Sequence, residues 1–327
     1  MHNAVDHLVE AYGLGSGPWT LTPVTRGALG QIWKLSGHSS TWAVKEMLFG
    51  CDERQVQREA ALRDASERLG ITSPKLLANR EGSPVSRLPP RAGGSSVKLY
   101  EWIDGTGADP ARPEILSWVG RTLALLHVAG AGTSEAPGSW YETCPRKADW
   151  EELHRRTDAA GLPWSDALAR FAAGPAGELA RLVNSADRSA LVTSHLDVQP
   201  QNVLLGPAGP VLIDWDNAGP TAPERELAWI VFAWSGRNRL NADSARRVVR
   251  AYVAAGGPGR IRDLDAFSTL VATSLNYIQV QAEAAVDPAK TVEQREFGKT
   301  EVARSLRSLP EPAVLGRLIK ELEPEWP

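Results

Sequence analysis

Cysteine is nearly absent. Cys51 and Cys144 are the only two among 327 residues, with no CxxC or Cys/His spacing. That excludes a disulfide framework and the usual structural zinc patterns, and it fits a reducing compartment. An excess of either charge is also missing. The 36 Lys+Arg face 39 Asp+Glu, a net charge of -3, too balanced to point to nucleic acid or an anionic membrane as a partner. No apolar run approaches the ~20 residues of a membrane helix, and the longest, near Ala228–Trp234, is far shorter. Met1–Asp6 carries neither the basic segment nor the apolar core of a signal peptide. The expectation is a cytoplasmic protein with no nucleic-acid, membrane or obligate protein partner. Lysine is scarce as well, with Arg dominating the cations, so each lysine is informative: Lys34, Lys45, Lys75, Lys98, Lys147, Lys290, Lys299 and Lys320.

Tryptophan is abundant, with 12 against 5 Tyr and 5 Phe. Trp33, Trp42, Trp229 and Trp234 stand in apolar strand-like or helix-like contexts, which points to packing. The composition, 43% hydrophobic and 23% charged, is that of a globular chain, and the length suggests about two domains. Short apolar or alternating runs at Trp19–Val24, Gly30–Ser36 and Thr41–Leu48 predict strands. A helix is expected over Asp52–Leu69, with Asp52 as cap, Gln55 closing a capping box and Gly70 at its end. The last strand of this part is Val97–Ile103. Beyond the linker-like Asp104–Pro110 the pattern turns helical, with Ile115, Val119, Leu123 and Leu126 on one face. Further helices are expected at Ala148–Ala160, Ser165–Ser185, Glu224–Trp234, Asn241–Ala255, Leu264–Ala285 and Val292–Leu306. The fold class is α+β, a small β-rich lobe over 1–103 and a larger helical lobe over 104–327.

The one strand-like interruption in the helical part carries the chemistry. It reads His195-Leu196-Asp197, then Asn202-Val203-Leu204-Leu205, then Val211-Leu212-Ile213-Asp214-Trp215-Asp216. A symmetric hairpin pairs Leu205 with Val211 and Leu204 with Leu212, setting Asn202 opposite Asp214. An amide oxygen and a carboxylate facing one point are hard ligands suited to Mg²⁺. The order H-x-D-x-x-x-x-N followed by an Asp has the spacing of a kinase catalytic loop and metal site. In the first lobe, Gly27-Ala28-Leu29-Gly30-Gln31-Ile32 matches half of a glycine-rich phosphate loop. Trp42-Ala43-Val44-Lys45 resembles a V-A-I-K strand, in which alternation places Ala43 and Lys45 on one face and Trp42 and Val44 on the other. Glu59 projects from the apolar face of the first-lobe helix, in line with Val56 and Leu62, and a partner for its carboxylate is needed there; Lys45 meets that need.

With these residues assembled, the sequence resembles the aminoglycoside phosphotransferase and choline kinase superfamily, small-molecule kinases with a two-lobed protein-kinase-like fold. The resemblance runs from about Thr20 to Trp234, with Leu123-Ala124-Leu125-Leu126-His127 as a further specific stretch. It implies ATP and Mg²⁺ as cofactors, GTP remaining open, and a small-molecule hydroxyl as acceptor. Carried over, it makes Asp197 the base or orienter for that hydroxyl, Asn202 and Asp214 the metal ligands, and Lys45 the α/β-phosphate contact fixed by Glu59. Gly27 and Gly30 would cover the phosphates. Leu99, Tyr100, Glu101 and Trp102 would form the adenine-reading hinge, with Ala43 as roof and Leu204 and Ile213 as floor. His195 reads as structural and His127 as packing. Asp216 follows the pattern of a second acidic residue, either assisting a metal or solvated, and is also a candidate for the acceptor site.

Leu196 and Gln201 depart from the glycines common at their positions. Leu196 also replaces the Arg of protein kinases, and Ala222-Pro223-Glu224 follows Asp214 too closely to leave room for a peptide platform. For the acceptor, two sets of residues are candidates. Asp149 and Glu152 flank Trp150, and Asn276, Tyr277 and Glu283 lie on one helix; each set also fits an ordinary solvated surface. The resulting reading is a phosphotransferase acting on an antibiotic, aminoglycoside-like or peptide, and hence resistance. Its alternatives are a metabolic kinase for a sugar, amino alcohol or homoserine-like acceptor, and a non-catalytic nucleotide-binding protein.

Overall fold

A computed structural model describes residues 4–27, 30–48 and 50–326. Helix α1 (Val5–Tyr12) precedes strands β1 (Thr20–Arg26), β2 (Gly30–Ser36) and β3 (Thr41–Met47). Helix α2 (Glu53–Arg68) follows, then β4 (Leu76–Leu77), β5 (Ser86–Arg87), β6 (Ser96–Glu101) and β7 (Thr106–Gly107). Next come α3 (Pro113–Ala129), α4 (Ser139–Glu142), α5 (Lys147–Ala159), α6 (Ser165–Ala173) and α7 (Pro175–Ala180). Four short strands, β8 (Val192–Ser194), β9 (Val203–Gly206), β10 (Gly209–Leu212) and β11 (Gly219–Thr221), interrupt the helices. The rest is α8 (Pro223–Trp234), α9 (Ala242–Ala254), α10 (Ser268–Val286), α11 (Val292–Ser305) and α12 (Pro312–Leu322). The chain divides into two compact units, Met1–Ala108 with Gln201–Ala218, and Asp109–Pro200 with Gly219–Pro327. The first boundary thus falls after Ala108 instead of Ile103. The hairpin segment, expected in the second lobe, belongs to the first unit.

In the first unit an antiparallel sheet runs β1-β2-β3-β6-β4, with β5 paired to β6. The two-residue period sorts its side chains. Val44, Val97 and Leu99 point to one face and join Leu35 and the α1 residues Leu8 and Tyr12 in a closed core. Ala43, Lys45, Lys98 and Tyr100 alternate with them, and the register sets Ala43 opposite Tyr100 and Lys45 opposite Lys98. Helix α2 is capped by Asp52, whose side chain accepts from the Arg54 N–H at 2.9 Å. Gln55 does not close a capping box; its amide reaches the carbonyls of Asp216 and Ala218 at 2.7 and 2.8 Å.

The hairpin is one residue out of the symmetric register. Leu205 pairs with Pro210, Leu204 with Val211 and Val203 with Leu212. The cause is the turn, which holds only Pro207 and Ala208 between Gly206 and Gly209, with Gly209 at φ +121°. Pro207 and Ala208 keep negative φ, and the positive φ falls on Gly209 as the chain re-enters the ladder, a conformation glycine adopts at little cost. Asn202 therefore lies opposite Ile213, whose N–H donates to the Asn202 carbonyl at 3.0 Å. Asp214 is placed one residue beyond the ladder, in the left-handed region at φ 64°, which Asp tolerates better than most residues.

In the second unit β8 pairs with β11. The main core gathers Trp150, Leu153, Leu168, Phe171, Leu275 and Ile278 from α5, α6 and α10, with Trp150 edge-on to Phe171 at 5.3 Å. The helix expected over Ser165–Ser185 is two helices, because Gly174-Pro175 interrupts it. Pro175 lacks the N–H that a continuing helix needs but suits the first position of α7. Among the described residues, no helix is long and apolar enough to cross a membrane.

Leu99 is completely buried, so Leu99→Ala should cost about 2–5 kcal/mol of stability. Urea unfolding should show a lowered midpoint, with nucleotide affinity kept at denaturant-free conditions.

Candidate active site

The first unit brings six charged side chains together. Lys45 Nζ lies 2.5 Å from Asp214 Oδ1 and 2.7 Å from Asp216 Oδ2. Lys98 bonds to Glu59 Oε2 and, at 2.9 Å, to Asp216 Oδ1. Glu59 Oε1 accepts from Arg63 Nη2 at 3.1 Å and from the Tyr100 hydroxyl at 2.9 Å. Arg63 is held in turn by the Pro74 carbonyl at 2.7 Å and lies over the rings of Tyr100 and Trp215. Burial alone would push the Lys45 ammonium down, but Asp214 and Asp216 outweigh it and hold its pKa above the ordinary value. Burial would raise the Asp216 carboxyl; Lys45 and Lys98 prevail and keep it below the usual range. The expected Glu59–Lys45 pair is therefore corrected. Lys98, on the strand next to β3, reaches Glu59, and Lys45 turns to the two aspartates.

The other nucleotide-site candidates fall around this cluster in different ways. Gly27 N–H donates to the Gly30 carbonyl at 2.9 Å, closing the turn before β2; Ala28 and Leu29 of that loop lie outside the described residues. At Gly30 a Cβ would stand 2.9 Å from the Glu46 carbonyl oxygen and 3.2 Å from Lys45 Cε, so only glycine fits beside the lysine. Ala43 shares the Lys45 face. Leu204 and Ile213 are half-buried, with apolar surface left over. The hinge stretch is split. Leu99 is core, Tyr100 is tied to Glu59, and Glu101 N–H is taken by the Lys75 carbonyl at 2.9 Å. Only Trp102 lies past the strand, with Lys34 Nζ 4.5 Å from its ring centroid.

The donor set suits a hard divalent cation. Asp214 ends the hairpin with its carboxylate 39% exposed, already facing one cation, the Lys45 ammonium. Asn202 is buried at the end of a 3-10 turn just before β9. One carboxylate and one amide oxygen, with phosphate oxygens and water to complete the shell, match the habits of Mg²⁺.

The second unit shapes the loop that carries Asp197. Leu196 is left-handed, φ 60°, a conformation that favours glycine, and it is completely buried. Its N–H donates to Glu226 Oε1 at 2.7 Å. Glu226 Oε2 accepts from His127 Nε2 at 2.9 Å, and His127 Nδ1 faces the Tyr252 hydroxyl at 2.8 Å. The Gly259 N–H donates to that hydroxyl, so the network is satisfied with Nε2 protonated and Nδ1 accepting. Burial works against the Glu226 charge, yet the bonds from His127 and Leu196 keep its carboxyl below the ordinary value. His127 thus packs, as read, and also braces the loop. Trp234 Nε1 donates to the Val198 carbonyl at 2.7 Å. Gln199 Nε2 donates to Asp197 Oδ1 at 2.7 Å, while Arg237 Nη2 donates to Gln199 Oε1 at 3.1 Å. Burial pushes Tyr141 up, and the charges of Asp197 and Glu226 push it further.

The acceptor candidates are mostly committed to their own unit. Asp149 caps α5 by accepting from the Arg146 N–H at 2.8 Å, and Glu152 pairs with Arg155. Asn276 Nδ2 bonds the Trp140 and Thr143 carbonyls at 2.9 and 2.7 Å. The Tyr277 hydroxyl donates to Glu301 Oε2 at 2.8 Å, and Glu283 accepts from Gln279 at 2.9 Å. The stripe ties α10 to α4 and α11 instead of standing as a free polar face. Sequence reading missed Lys98, Gln55, Gln199, Glu226 and Arg237. Among them only Lys98 carried a signal, as a lysine alternating with apolar neighbours in a lysine-poor chain.

Two outcomes test this geometry. The left-handed backbone at Leu196 costs about 1–2 kcal/mol, less than the roughly 1.5–3 kcal/mol gained by burying the side chain. Leu196→Gly should therefore lower Tm instead of relieving strain. Glu226 contributes stability that is complete above the unfolded carboxyl value of 4.5 and lost as pH falls through its depressed folded value. The Tm gap between the wild type and Glu226→Gln should shrink as pH drops below that range.

The sequence matches the family model of the APH phosphotransferase enzyme family over residues 20–264. No curated protein sequence matches it significantly. Solved structures share the fold at low identity. A spectinomycin phosphotransferase bound to ADP and spectinomycin superposes with TM-score 0.66 at 15% identity, covering 98% of this chain and 97% of that one. An amicoumacin kinase with AMP-PNP and Ca²⁺ gives 0.59 at 12%, covering 96% and 93%. A microcompartment-associated aminopropanol kinase gives 0.56 at 15%, covering 93% and 94%. The α+β fold is therefore shared with these kinases, and the chain belongs to the phosphotransferase enzyme family.

Proposed function

We propose that the protein transfers the γ-phosphoryl group of ATP to a hydroxyl of an antibiotic, with Mg²⁺ as the metal. The observation that carries the reading is Lys45 held between Asp214 and Asp216. That cluster joins a lysine of phosphate-binding type to a carboxylate of metal-binding type. Asn202 and Asp214 would hold Mg²⁺, which supplies charge neutralisation at the transferring phosphate. Lys45 contacts the α/β-phosphates, exchanging the Asp214 carboxylate for phosphate oxygens. Asp197 holds the acceptor hydroxyl and takes its proton, with the Gln199 amide bonded to its Oδ1 to orient the carboxylate. The Leu196–Glu226–His127 network keeps the Asp197 backbone in place before substrate arrives. Trp102, Leu204, Ile213 and Ala43 form the adenine surface. The full set Lys45, Asp197, Asn202 and Asp214 speaks against a non-catalytic nucleotide binder.

The antibiotic acceptor is supported by the spectinomycin and amicoumacin kinases among the similar structures. A metabolic amino alcohol is the second reading, supported by the aminopropanol kinase. The involvement of Asp149, Glu152, Asn276 and Glu283 in internal bonds favours neither.

Incubation with Mg-ATP and a mixed panel of antibiotics and amino alcohols, read by mass spectrometry, should show one acceptor gaining a phosphate. Asp197→Ala should lower turnover by about 10²–10⁴-fold and leave nucleotide affinity within a few-fold. Unchanged turnover would refute the role of Asp197, and a phosphorylated amino alcohol would replace the antibiotic reading.

A further inference from the structure

The family pattern gives Lys98 no role, yet it sits 1% exposed between two carboxylates. It is the direct cross-strand neighbour of Lys45. Like charges directly opposite each other repel, and a buried ammonium without partners is costly. Asp216 resolves both problems by offering Oδ1 to Lys98 and Oδ2 to Lys45. The result is a chain of alternating charge: Glu59, Lys98, Asp216, Lys45, Asp214. Exposure rises along it, from 0% at Glu59 and 6% at Asp216 to 39% at Asp214. Gln55 of α2 holds the backbone carbonyl of Asp216 as well.

We propose that Lys98 is a positioning residue for the phosphate-binding lysine. It fixes Lys45 through Asp216, so that Asp216 is the permanent counter-ion of Lys45 and Asp214 the exchangeable one. The position of α2, transmitted elsewhere by a direct glutamate–lysine pair, reaches Lys45 here through Glu59, Lys98 and Asp216. This inference rests on the reading of Lys45 as a phosphate contact.

The test is calorimetric titration of AMP-PNP with Mg²⁺, without acceptor, and Tm measured alongside. The proteins are wild type, Lys45→Ala, Lys98→Met, Lys98→Arg and Lys98→Met/Glu59→Gln. Lys98→Met leaves Glu59 without its ammonium partner and should lower Tm. The double variant removes the charge left on Glu59 but also takes the carboxylate partner from buried Arg63, so its Tm should recover only in part. Both should nevertheless bind AMP-PNP about 10-fold or more weakly, the scale of a lost charged hydrogen bond. Lys98→Arg should restore part of the affinity, and in turnover KM for ATP should rise more than kcat falls. Binding by the double variant within about twofold of wild type, with Lys45→Ala weakened, would overturn the role of Lys98 alone. Wild-type affinity in Lys45→Ala would remove the phosphate-contact reading and this inference with it.

Discussion

Charge withdrawn from water has to be cancelled locally, and in the first unit three cations and three anions do so within one connected cluster. Arg63, Lys98 and Lys45 alternate with Glu59, Asp216 and Asp214. Removing any inner member strands a charge where solvent cannot reach it. The cluster therefore constrains more than its own atoms. It fixes the register of β3 against β6, the approach of α2 through Gln55, and the turn that follows β10. Its open end is the carboxylate that a metal would use.

The second unit solves a different problem with neutral and charged hydrogen bonds. The loop before Asp197 turns through a left-handed leucine, and its N–H is captured by a buried glutamate. That glutamate is tied by His127 to Tyr252, so that α3, α8 and α9 all contribute to one backbone position. Rigidity of a loop follows from such satisfied buried networks. The backbone strain at Leu196 is outweighed by the burial of its side chain.

Much of this was legible in the sequence, and the failures have physical causes. The strand alternation in Trp42-Ala43-Val44-Lys45 matches the sheet because one face must be dry. The hairpin was legible as a hairpin but not in its register. A five-residue gap flanked by Gly and Pro does not reveal that two residues form the turn, and a shift of one residue moved Asn202 from opposite Asp214 to opposite Ile213. The Glu59 partner was misread because two lysines on neighbouring strands present the same charge to α2, and only three-dimensional reach separates them. Helix α1 has eight residues with Leu8 and Tyr12 as its buried anchors, too short a stretch for a clear period. The polar stripe on α10 was visible, but whether a stripe meets solvent, substrate or a neighbouring carbonyl is decided by what folds against it.

The opposition of Lys45 and Lys98 across two strands also makes the cluster asymmetric in what it tolerates. A lysine at 98 without an acid at 216 would face a second ammonium on a dry surface, with only Glu59 to share between them. An acid at 216 without that lysine would still meet Lys45 and form an ordinary pair. Loss of Lys98 alone therefore leaves an anion in excess, whereas loss of Asp216 alone sets two buried ammonium groups against each other, so position 216 tolerates less change than position 98.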